Sequence, residues 1–435
     1  MKDIAKLIEV ATGRQEADLV LKGGSVVNVF TGEVLLGDVA ISGGYVAAVG
    51  NYSGPNEIDC TGRFICPGFI DAHIHIESTM VLPGEFVRLA LPSGTTTVIA
   101  DPHEIVNVLG EKGLEFMLEV SRGLPCNLYY MLPSSVPSTA FETAGGRFTA
   151  ADMEKYLNNP QVLGLGEAMS YTDVVAGRGE IMKMLELFKG RLVDGHSPGL
   201  SSPEIQAYVA AGVCTEHENT TFDEALEKAR AGMAILVREG SAAHDLTAIV
   251  NGMLESGVDT GRFMFCTDDK HLDDLGRDGH IRWNVKLAID MGLDPVKAIQ
   301  MASWNTAQVY GLRDTGAVAP GYKADILVLK SLRGVEVEAV YKDGVPAEKR
   351  IAEITPPKVE DPDILRSVKA RKVCAADFAL KVQNPTDVIE MVPYQLVTKH
   401  LREEVPTENG CFVPSPVYTK LCVIERHGKN GNISV

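Results

Sequence analysis

The segment GFIDAHIHIEST (residues 68–79) places two histidines, His73 and His75, between two carboxylates, Asp71 and Glu77. In an extended strand, alternate residues point to the same face. One face would therefore carry both carboxylates and both imidazoles, and the other face would carry the apolar residues Ile70, Ala72, Ile74 and Ile76. Imidazoles are the commonest metal ligands in proteins, so this pattern predicts part of a metal site.

Other residues of the same chemical types stand at the ends of predicted strands. From about residue 66 to 311, short apolar runs alternate with helical segments, and eight of these runs are strand candidates: FICPGFID, TTTVIADPH, CNLYYMLPS, QVLGLGE, RLVDGH, GVCTEHE, MAILVREG and RFMFCTDD. Repeated β–α units predict a parallel sheet, and eight of them predict a closed (β/α)8 barrel. Seven of the eight candidates end in ionisable residues.

The carboxyl ends of barrel strands form one rim, where residues remote in the sequence meet. Six residues at this rim are our candidate metal ligands: His73, His75, Glu167, His196, His217 and Asp268. Each has an ordinary explanation when taken alone, since a histidine can be a hydrogen-bonded core residue and an aspartate can cap a helix. Those explanations would require independent accidents at successive strand ends, so we predict a metal centre.

The types of ligand indicate which ions would bind. Imidazole and carboxylate donors without thiolates suit Mn²⁺, Fe²⁺ or Zn²⁺. Six protein ligands exceed what one catalytic ion needs, because such an ion keeps a position open for water. We therefore expect two divalent ions, with Glu167 and a hydroxide bridging them. Asp268 would bind one ion through one oxygen and accept the hydroxide's proton on the other, as a general base.

The segments that flank the predicted barrel are rich in short strands. Residues 1–65 and 312–355 contain Val-rich runs separated by glycine turns, and we predict that they form one composite β-sandwich domain beside the barrel of residues 66–311. The acidic run PPKVEDPD is typical of a solvated linker. It leads into a C-terminal α+β region, residues 356–435, with a predicted helix around SVKARKV. Because the sequence stops in a strand-like pattern, we expect this region to be truncated. The fold class is α/β.

Charge and composition disfavour several classes of protein. The net charge of −17 argues against binding to nucleic acid and to anionic membrane surfaces. We find no secretory signal and no apolar stretch of about 18 residues that would span a membrane. The eight cysteines are scattered without a CxxC pair, which is typical of reduced thiols. We therefore expect a cytoplasmic protein.

The combined pattern resembles the amidohydrolase superfamily of metal-dependent barrel hydrolases, and within it the branch that deaminates adenine. The similarity rests on the segments PGFIDAHIHIESTM, VIADPHEIVNVLG, GLGEAM, DGHSPGL, TEHE, LVREGS, CTDD, ASWNTA and GAVAPGYKADILVL. It implies one ion on His73, His75 and Asp268, a second on His196 and His217, and Glu167 as the bridge in place of the carboxylated lysine of many relatives. It also implies that the purine substrate adenine is hydrolysed at C6 to hypoxanthine and ammonia, by a homo-oligomer that is a dimer or larger.

Purine recognition requires hydrogen-bonding side chains beside the ions, and five residues are our candidates: Glu77, His103, Arg238, Glu239 and Ser241. We assign catalytic roles to Asp268, Glu77 and His103, with His103 stabilising the tetrahedral adduct. Glu77 could equally support a metal-bound histidine through a hydrogen bond.

Two alternative functions stay open at this stage. Another amidohydrolase activity, an N-acetyl-sugar deacetylase or a cyclic amidase, would use a similar centre. A non-catalytic assembly protein built on the same barrel belongs to a different class, but we would expect it to lack metal ligands, and all six are present in this sequence.

Overall fold

A computed structural model describes residues 2–435 of the chain. It begins with helix α1 (Ile4–Ala11), which Asp3 caps by accepting a hydrogen bond from the Lys6 N–H at 3.1 Å. The strands that follow are β1 (Leu19–Asn28), β2 (Glu33–Ser42), β3 (Tyr45–Gly50), β4 (Glu57–Asp59) and β5 (Phe64–Pro67). Gly43 and Gly44 join β2 to β3 with φ angles of 58° and 83°, which a tight hairpin turn requires and glycine adopts without a steric penalty.

Parallel strands come next, one in each of the eight segments that the sequence predicts. They are β6 (Phe69–Ile74), β7 (Thr95–Ala100), β8 (Asn127–Leu132), β9 (Val162–Leu165), β10 (Leu192–Val193), β11 (Thr215–Glu216), β12 (Ala234–Arg238) and β13 (Phe263–Cys266). Their hydrogen-bonded orders are β10–β9–β8–β7–β6 and β11–β12–β13. A parallel bridge between Ile74 and Asp268 joins the end of β6 to the chain after β13. The strands form a curled parallel arrangement that is consistent with a TIM-like barrel, so the predicted fold class is confirmed at this level.

Helices lie between and after these strands. They are α2 (Pro83–Ala90), α3 (His103–Leu109), α4 (Glu111–Val120), α5 (Ala150–Met153), α6 (Tyr171–Val175), α7 (Glu180–Leu187), α8 (Ser202–Ala210), α9 (Phe222–Arg230), α10 (Leu246–Ser256), α11 (Leu272–Asp278), α12 (Ile281–Asp290), α13 (Pro295–Met301) and α14 (Trp304–Val309). Apolar faces of these helices pack on the outer side of the strands, as Phe86 of α2 and Leu114 of α4 do in one buried cluster with Val98 of β7.

The first strand candidate divides into two strands at Gly68. Strand β5 pairs with strands outside the barrel, whereas β6 enters the barrel beside β7. A Cβ atom at Gly68 would lie 2.2 Å from Thr96 Oγ1, so a side chain could not be accommodated at this junction.

The predicted alternation along residues 70–77 is wrong. Ile70 and Ala72 pack in a buried cluster inside the barrel, whereas Ile74 packs with the surrounding helices. The pairing of β6 with β7 shifts in register between Asp71 and Ile74. Residues on the two sides of this irregularity therefore do not follow one alternation.

Strands after the barrel complete the sheet that begins at the N-terminus. These are β14 (Ile326–Leu329), β15 (Val337–Lys342) and β16 (Val345–Pro346), and helix α15 (Ala347–Ala352) follows them. The sheet has the order β16–β15–β14–β5–β1–β2–β3, with β4 beside β1. Val39 and Val46, near one end of the sheet, pack in the same cluster as Ile326 and Tyr341 near the other end. The sheet therefore curls around its own core.

The C-terminal residues begin with a single-turn helix, α16 (Pro362–Leu365), and continue as short strand pairs. The pairs are β17 (Thr386–Met391) with β18 (Thr398–Glu403), β19 (Thr407–Glu408) with β20 (Cys411–Phe412), and β21 (Val423–Ile424) with β22 (Ile433–Ser434). The predicted helix around SVKARKV is wrong, because residues 367–373 have no regular structure. Val368 and Val373 are exposed there, and a short helix without a face to bury is unstable in water.

The cysteines are reduced, as the sequence predicts. All eight cysteines are free thiols, and burial raises the pKa of Cys126 to about 12, so this thiol stays neutral. Within residues 2–435, no helix has both the length and the apolar character that crossing a membrane would require.

Candidate metal centre

The six candidate ligands meet at the carboxyl ends of the barrel strands. His73 lies in β6 and His75 follows it, and Glu167, His196, His217 and Asp268 follow β9, β10, β11 and β13. A barrel rim brings together residues from different strands in this way. Five of the six residues are buried, and the side chain of His196 is 25% exposed.

His73, His75 and Asp268 form what we call the first ligand set. The Nε2 atoms of the two histidines are 3.2 Å apart, and Asp268 Oδ1 lies 3.1 Å from His75 Nε2. His75 donates its Nδ1–H to Asp101 O at 2.8 Å, which directs its Nε2 toward the other members of the set. Two nitrogens about 2.1 Å from one ion and at right angles would be about 3 Å apart. The observed spacing therefore suits one metal ion.

His196 and His217 form the second ligand set, and Glu167 lies between the two sets. Glu167 Oε2 is 2.7 Å from His196 Nδ1 and 3.3 Å from His217 Nε2. Glu167 Oε1 is 3.2 Å from His75 Nε2. The carboxylate thus presents a different oxygen to each ligand set, as a bridge between two ions would.

The donor atoms fit a divalent metal ion. Ligand atoms lie within 4.8 Å of one another in the groups His73–His75–Glu167 and Glu167–His196–His217, and Glu167 belongs to both groups. Nitrogen and oxygen donors in such a mixture suit first-row divalent ions. The prediction of metal binding is therefore supported at this level.

The two carboxylates of the centre are held in their charged forms. Burial would raise the pKa of Glu167, but the adjacent His196 imidazole holds that pKa well below its usual value. Burial also opposes ionisation of Asp268, yet the hydrogen bond with His75 keeps the pKa of Asp268 low. The charged carboxylate is the form that binds a cation.

Backbone hydrogen bonds hold the first ligand set together. Asp268 donates its N–H to His73 O at 2.9 Å, and its carbonyl accepts from the His75 N–H at 3.1 Å. We call this connection the barrel seam. It places Asp268 at a φ of 57°, a left-handed conformation that aspartate adopts more readily than most residues.

Asp71 supports the barrel seam from the side that faces the helices. Its carboxylate accepts from the Thr267 N–H at 3.1 Å and from the His73 N–H at 3.2 Å. It also lies 2.9 Å from Nε2 of His280, whose ring packs against Phe86 of α2. Asp71 therefore does not share a face with His73, but it does support the ligands through their backbone.

Arg238 is held by protein carboxylates, and its assignment as a substrate contact stays a prediction. The guanidinium is buried and donates to Asp268 Oδ2 at 2.8 Å, to Asp245 Oδ2 at 2.8 Å and to a Glu218 oxygen. A buried arginine requires carboxylate partners, and these three carboxylates provide them. Asp268 Oδ2, which we expected to be free to accept a proton, is therefore held by Arg238.

Sequence reasoning missed Glu218 and Asp245 as the partners of Arg238. The available signal was Glu218 itself, the last residue of TEHE, which stands next to a predicted ligand at a strand end. Glu239 and Ser241 also have protein partners: Glu239 Oε1 is 2.7 Å from His244 Nδ1, and Ser241 Oγ accepts from the His271 N–H at 2.8 Å.

A cavity of about 700 Å³ reaches Glu77 and Glu104 near the centre, and none of the six candidate ligands lines it. Glu77 and Glu104 line it together with apolar side chains that include Ile105 and Phe116, and Glu104 Oε2 is 3.8 Å from His75 Nδ1. Glu77 Oε1 accepts from the Ile105 N–H at 3.3 Å, whereas Glu77 Oε2 is buried without a partner among residues 2–435. Burial, followed by repulsion from Glu104, raises the pKa of Glu77 to about 8.

His103, the first residue of α3, also reaches the centre. Its Nδ1 is 3.0 Å from Glu167 Oε1, and its Nε2 is 3.6 Å from Glu104 Oε1. The imidazole thus lies between the carboxylate of the centre and the cavity. A larger groove of about 870 Å³, between α4 and residues 353–364, is lined by none of the predicted site residues.

Comparison with known proteins gives the family of this chain. Residues 64–347 match the amidohydrolase family. The chain is 49% identical over 437 residues to an adenine deaminase of Desulfitobacterium hafniense, and the match covers 100% of this chain and 76% of that protein. It is 45% identical over 439 residues to adenine deaminase 2 of Carboxydothermus hydrogenoformans, with 100% and 77% covered. This chain belongs to the adenine deaminases of the amidohydrolase family.

Solved structures share the fold of this amidohydrolase. A β-aspartyl dipeptidase from Fervidobacterium islandicum superposes with a TM-score of 0.56 at 18% identity, covering 75% of this chain and 96% of that one. Atrazine chlorohydrolase from Arthrobacter aurescens, complexed with zinc, gives a TM-score of 0.55 at 14% identity, covering 77% and 98%. At these identities the likeness concerns the fold of the amidohydrolase and not its substrate.

Proposed function

We propose that this amidohydrolase hydrolyses adenine to hypoxanthine and ammonia. Its similarity to named adenine deaminases along the whole chain supports the choice of substrate. The single structural observation that carries the proposal is the Glu167 carboxylate, whose two oxygens face different histidine sets. A centre of this kind, with a cavity large enough for a purine beyond Glu77 and Glu104, suits hydrolysis at an aromatic carbon.

We propose that the two ligand sets hold two divalent ions, Mn²⁺, Fe²⁺ or Zn²⁺. His73, His75 and Asp268 would hold one ion, His196 and His217 the other, and Glu167 would bind both. When bound, the ions would lower the pKa of a water molecule and neutralise the negative charge that develops during attack on C6.

Asp268 is the residue that we assign to proton transfer. Arg238 holds its Oδ2 at 2.8 Å, so the carboxylate keeps one orientation, with Oδ1 toward the first ligand set. The oxygen of water would become the hypoxanthine oxygen as the C6–N bond breaks. Of the two water protons, one leaves with the amine as ammonia and the other ends on purine N1. Asp268 would accept one of these protons from the water and relay it to the amine or to N1.

Glu77 and His103 are the side chains that we assign to the purine. Glu77 lines the cavity, and we assign its unpartnered Oε2 to accept a hydrogen bond from a purine N–H. His103, between Glu167 and the cavity, would donate to the tetrahedral adduct. Both groups are fixed by buried neighbours, which would orient the ring without a large ordering cost.

The test is an adenine assay on protein loaded with each of the three ions in turn. We expect release of ammonia together with loss of absorbance at the adenine maximum. Glu167→Gln should reduce both signals, and Glu186→Gln, a change at a glutamate whose side chain is 75% exposed, should leave both at the wild-type level. No ammonia with any ion, alongside activity on an N-acetyl sugar or a cyclic amide, would overturn the proposal.

We also propose a domain division that follows the sequence prediction: a composite β-sandwich of residues 1–65 and 312–355, a barrel of residues 66–311 and a C-terminal region of residues 356–435. The curled sheet supports the first of these, although β5 extends it to Pro67. A homo-oligomer and a cytoplasmic location stay predictions, and light scattering on the purified protein would test the first.

A further inference from the structure

A fully buried lysine lies beside the second ligand set. Lys228, in α9, donates from its ammonium to Ser197 O and to Glu224 Oε1, both at 3.0 Å. The same ammonium lies 3.6 Å from Glu216 Oε2. An ammonium without solvent must be neutralised by nearby carboxylates, and Glu216 is itself fully buried.

Glu216 connects the two chain segments that carry the second ligand set. Its carboxylate accepts from the Ser197 N–H at 3.3 Å, from the Ser197 hydroxyl, and from the Glu218 N–H at 2.7 Å. Ser197 directly follows His196, and Glu216 directly precedes His217. The buried carboxylate of Glu216 therefore connects the chain segment that carries His196 to the segment that carries His217.

The sheet does not provide this connection by itself. Strands β10 and β11 belong to separate sheets, although the Cys214 N–H donates to Val193 O at 3.0 Å beside them. Helix α9 supplies further support, because Glu224 also accepts from the Gly199 N–H at 3.0 Å. The loop after β10 is thus attached to α9 at two points, through Lys228 and Glu224.

We propose that Lys228 is a positioning residue for the second metal ion. With Glu216 and Ser197, it fixes the loop after β10 against the end of β11, so that His196 and His217 keep the spacing that one ion requires. This inference rests on the proposed two-ion centre. Partners that hold a metal ligand in place commonly change metal affinity by about 10–100-fold when they are removed.

The test is a Mn²⁺ titration of the metal-free protein, read by equilibrium dialysis and elemental analysis. Wild type should bind two ions per chain, and His196→Ala identifies which of the two dissociation constants belongs to the second ion. We expect Lys228→Met to raise that constant by about 10–100-fold and to leave the constant of the first ion unchanged.

Lys342→Met is the matched control. Lys342 is likewise buried, 3.0 Å from Asp325, but it lies in β15, outside the barrel. Each substitution leaves a buried carboxylate without its cation and should lower Tm, yet only Lys228→Met should alter ion binding. An unchanged second constant in Lys228→Met, or an equal change in Lys342→Met, would overturn the inference.

Failure of the proposed function would give a different result. Wild type that binds fewer than two ions, or His196→Ala that retains two, would overturn the two-ion centre and this inference with it. If Lys228→Met does not fold, Ser197→Ala tests the same connection by removing only the hydroxyl that donates to Glu216. We expect about a tenfold rise in the second constant, and no rise would overturn the inference.

Discussion

The two ligand sets of the centre are held by different means. In the first set, backbone hydrogen bonds of the barrel seam fix Asp268 against His73 and His75. The second set follows β10 and β11, which lie in separate sheets, and its residues are connected by buried side chains around Glu216. Backbone register therefore sets the ligand spacing in one half of the centre, and a side-chain network sets it in the other.

This difference teaches where the centre is robust and where it is vulnerable. A backbone connection persists when a neighbouring side chain is changed, because every residue supplies the same N–H and carbonyl groups. A side-chain network fails when one member is lost, since the remaining buried groups are left unpaired. Substitutions away from the ligands should therefore affect the second ion more than the first.

Asp268→Asn should have the largest effect, because it removes the proposed base from the set that the seam holds. We expect turnover of adenine to fall by about 10²–10⁴-fold, with most of the metal still bound, since asparagine retains an oxygen donor. Steady-state kinetics with elemental analysis of the same samples would measure both. Turnover within a few-fold of wild type would remove Asp268 from the proton-transfer role.

Glu167→Gln should affect both halves of the centre at once. The side chain faces both histidine sets. Loss of its charge should therefore lower the affinity for each ion by about 100-fold, the upper end of the range for residues around a metal. Dialysis of the metal-loaded variant against buffer gives the two occupancies. Retention of both ions at wild-type affinity would mean that Glu167 is not the bridge.

Asp71→Asn should lower the affinity for the first ion by about tenfold. This is a smaller change than the one that Lys228→Met should cause in the affinity for the second ion. The change disturbs the contacts of Asp71 with Thr267 and His280, but the backbone bonds of the seam remain. The Mn²⁺ titration already described provides the measurement. A larger loss than in Lys228→Met would contradict the distinction between the two halves.

Glu77→Gln should have the smallest effect and should leave both ligand sets intact. Above pH 8, where Glu77 is ionised, KM for adenine should rise by about tenfold if the carboxylate contacts the purine, the value of one hydrogen bond to a charged group, with kcat and ion binding unchanged. Initial rates over a range of adenine concentrations would show this. A lower ion affinity with unchanged KM would support the alternative, a hydrogen bond to a metal-bound histidine.

The rim residues could be predicted because a barrel imposes a rule on strand ends. Apolar runs of the right length marked the strands, and the ionisable residues after them had to converge. The face of each residue along β6 could not be predicted in the same way. The register shift after Asp71 arises from how β6 packs against its neighbours, and an alternating sequence carries no sign of it.

The surroundings of Arg238 and Lys228 were harder to predict for a related reason. A charged residue at a strand end looks the same in sequence whether it faces a substrate or a set of buried carboxylates. Lys228 stands in FDEALEKAR, whose charges are typical of a solvated helix face. Its burial follows from the loop after β10 that covers it, and that contact is remote in the sequence.

The backbone of Asp268 forms the hydrogen bonds of the barrel seam, and its side chain has the proposed role in proton transfer. Its amide hydrogen, and that of His75, can exchange with solvent only when the seam opens. Hydrogen exchange at these two amides would therefore measure how often the catalytic arrangement comes apart in the resting protein. A substitution elsewhere that accelerates this exchange would shorten the lifetime of the intact centre without changing any group that touches the substrate.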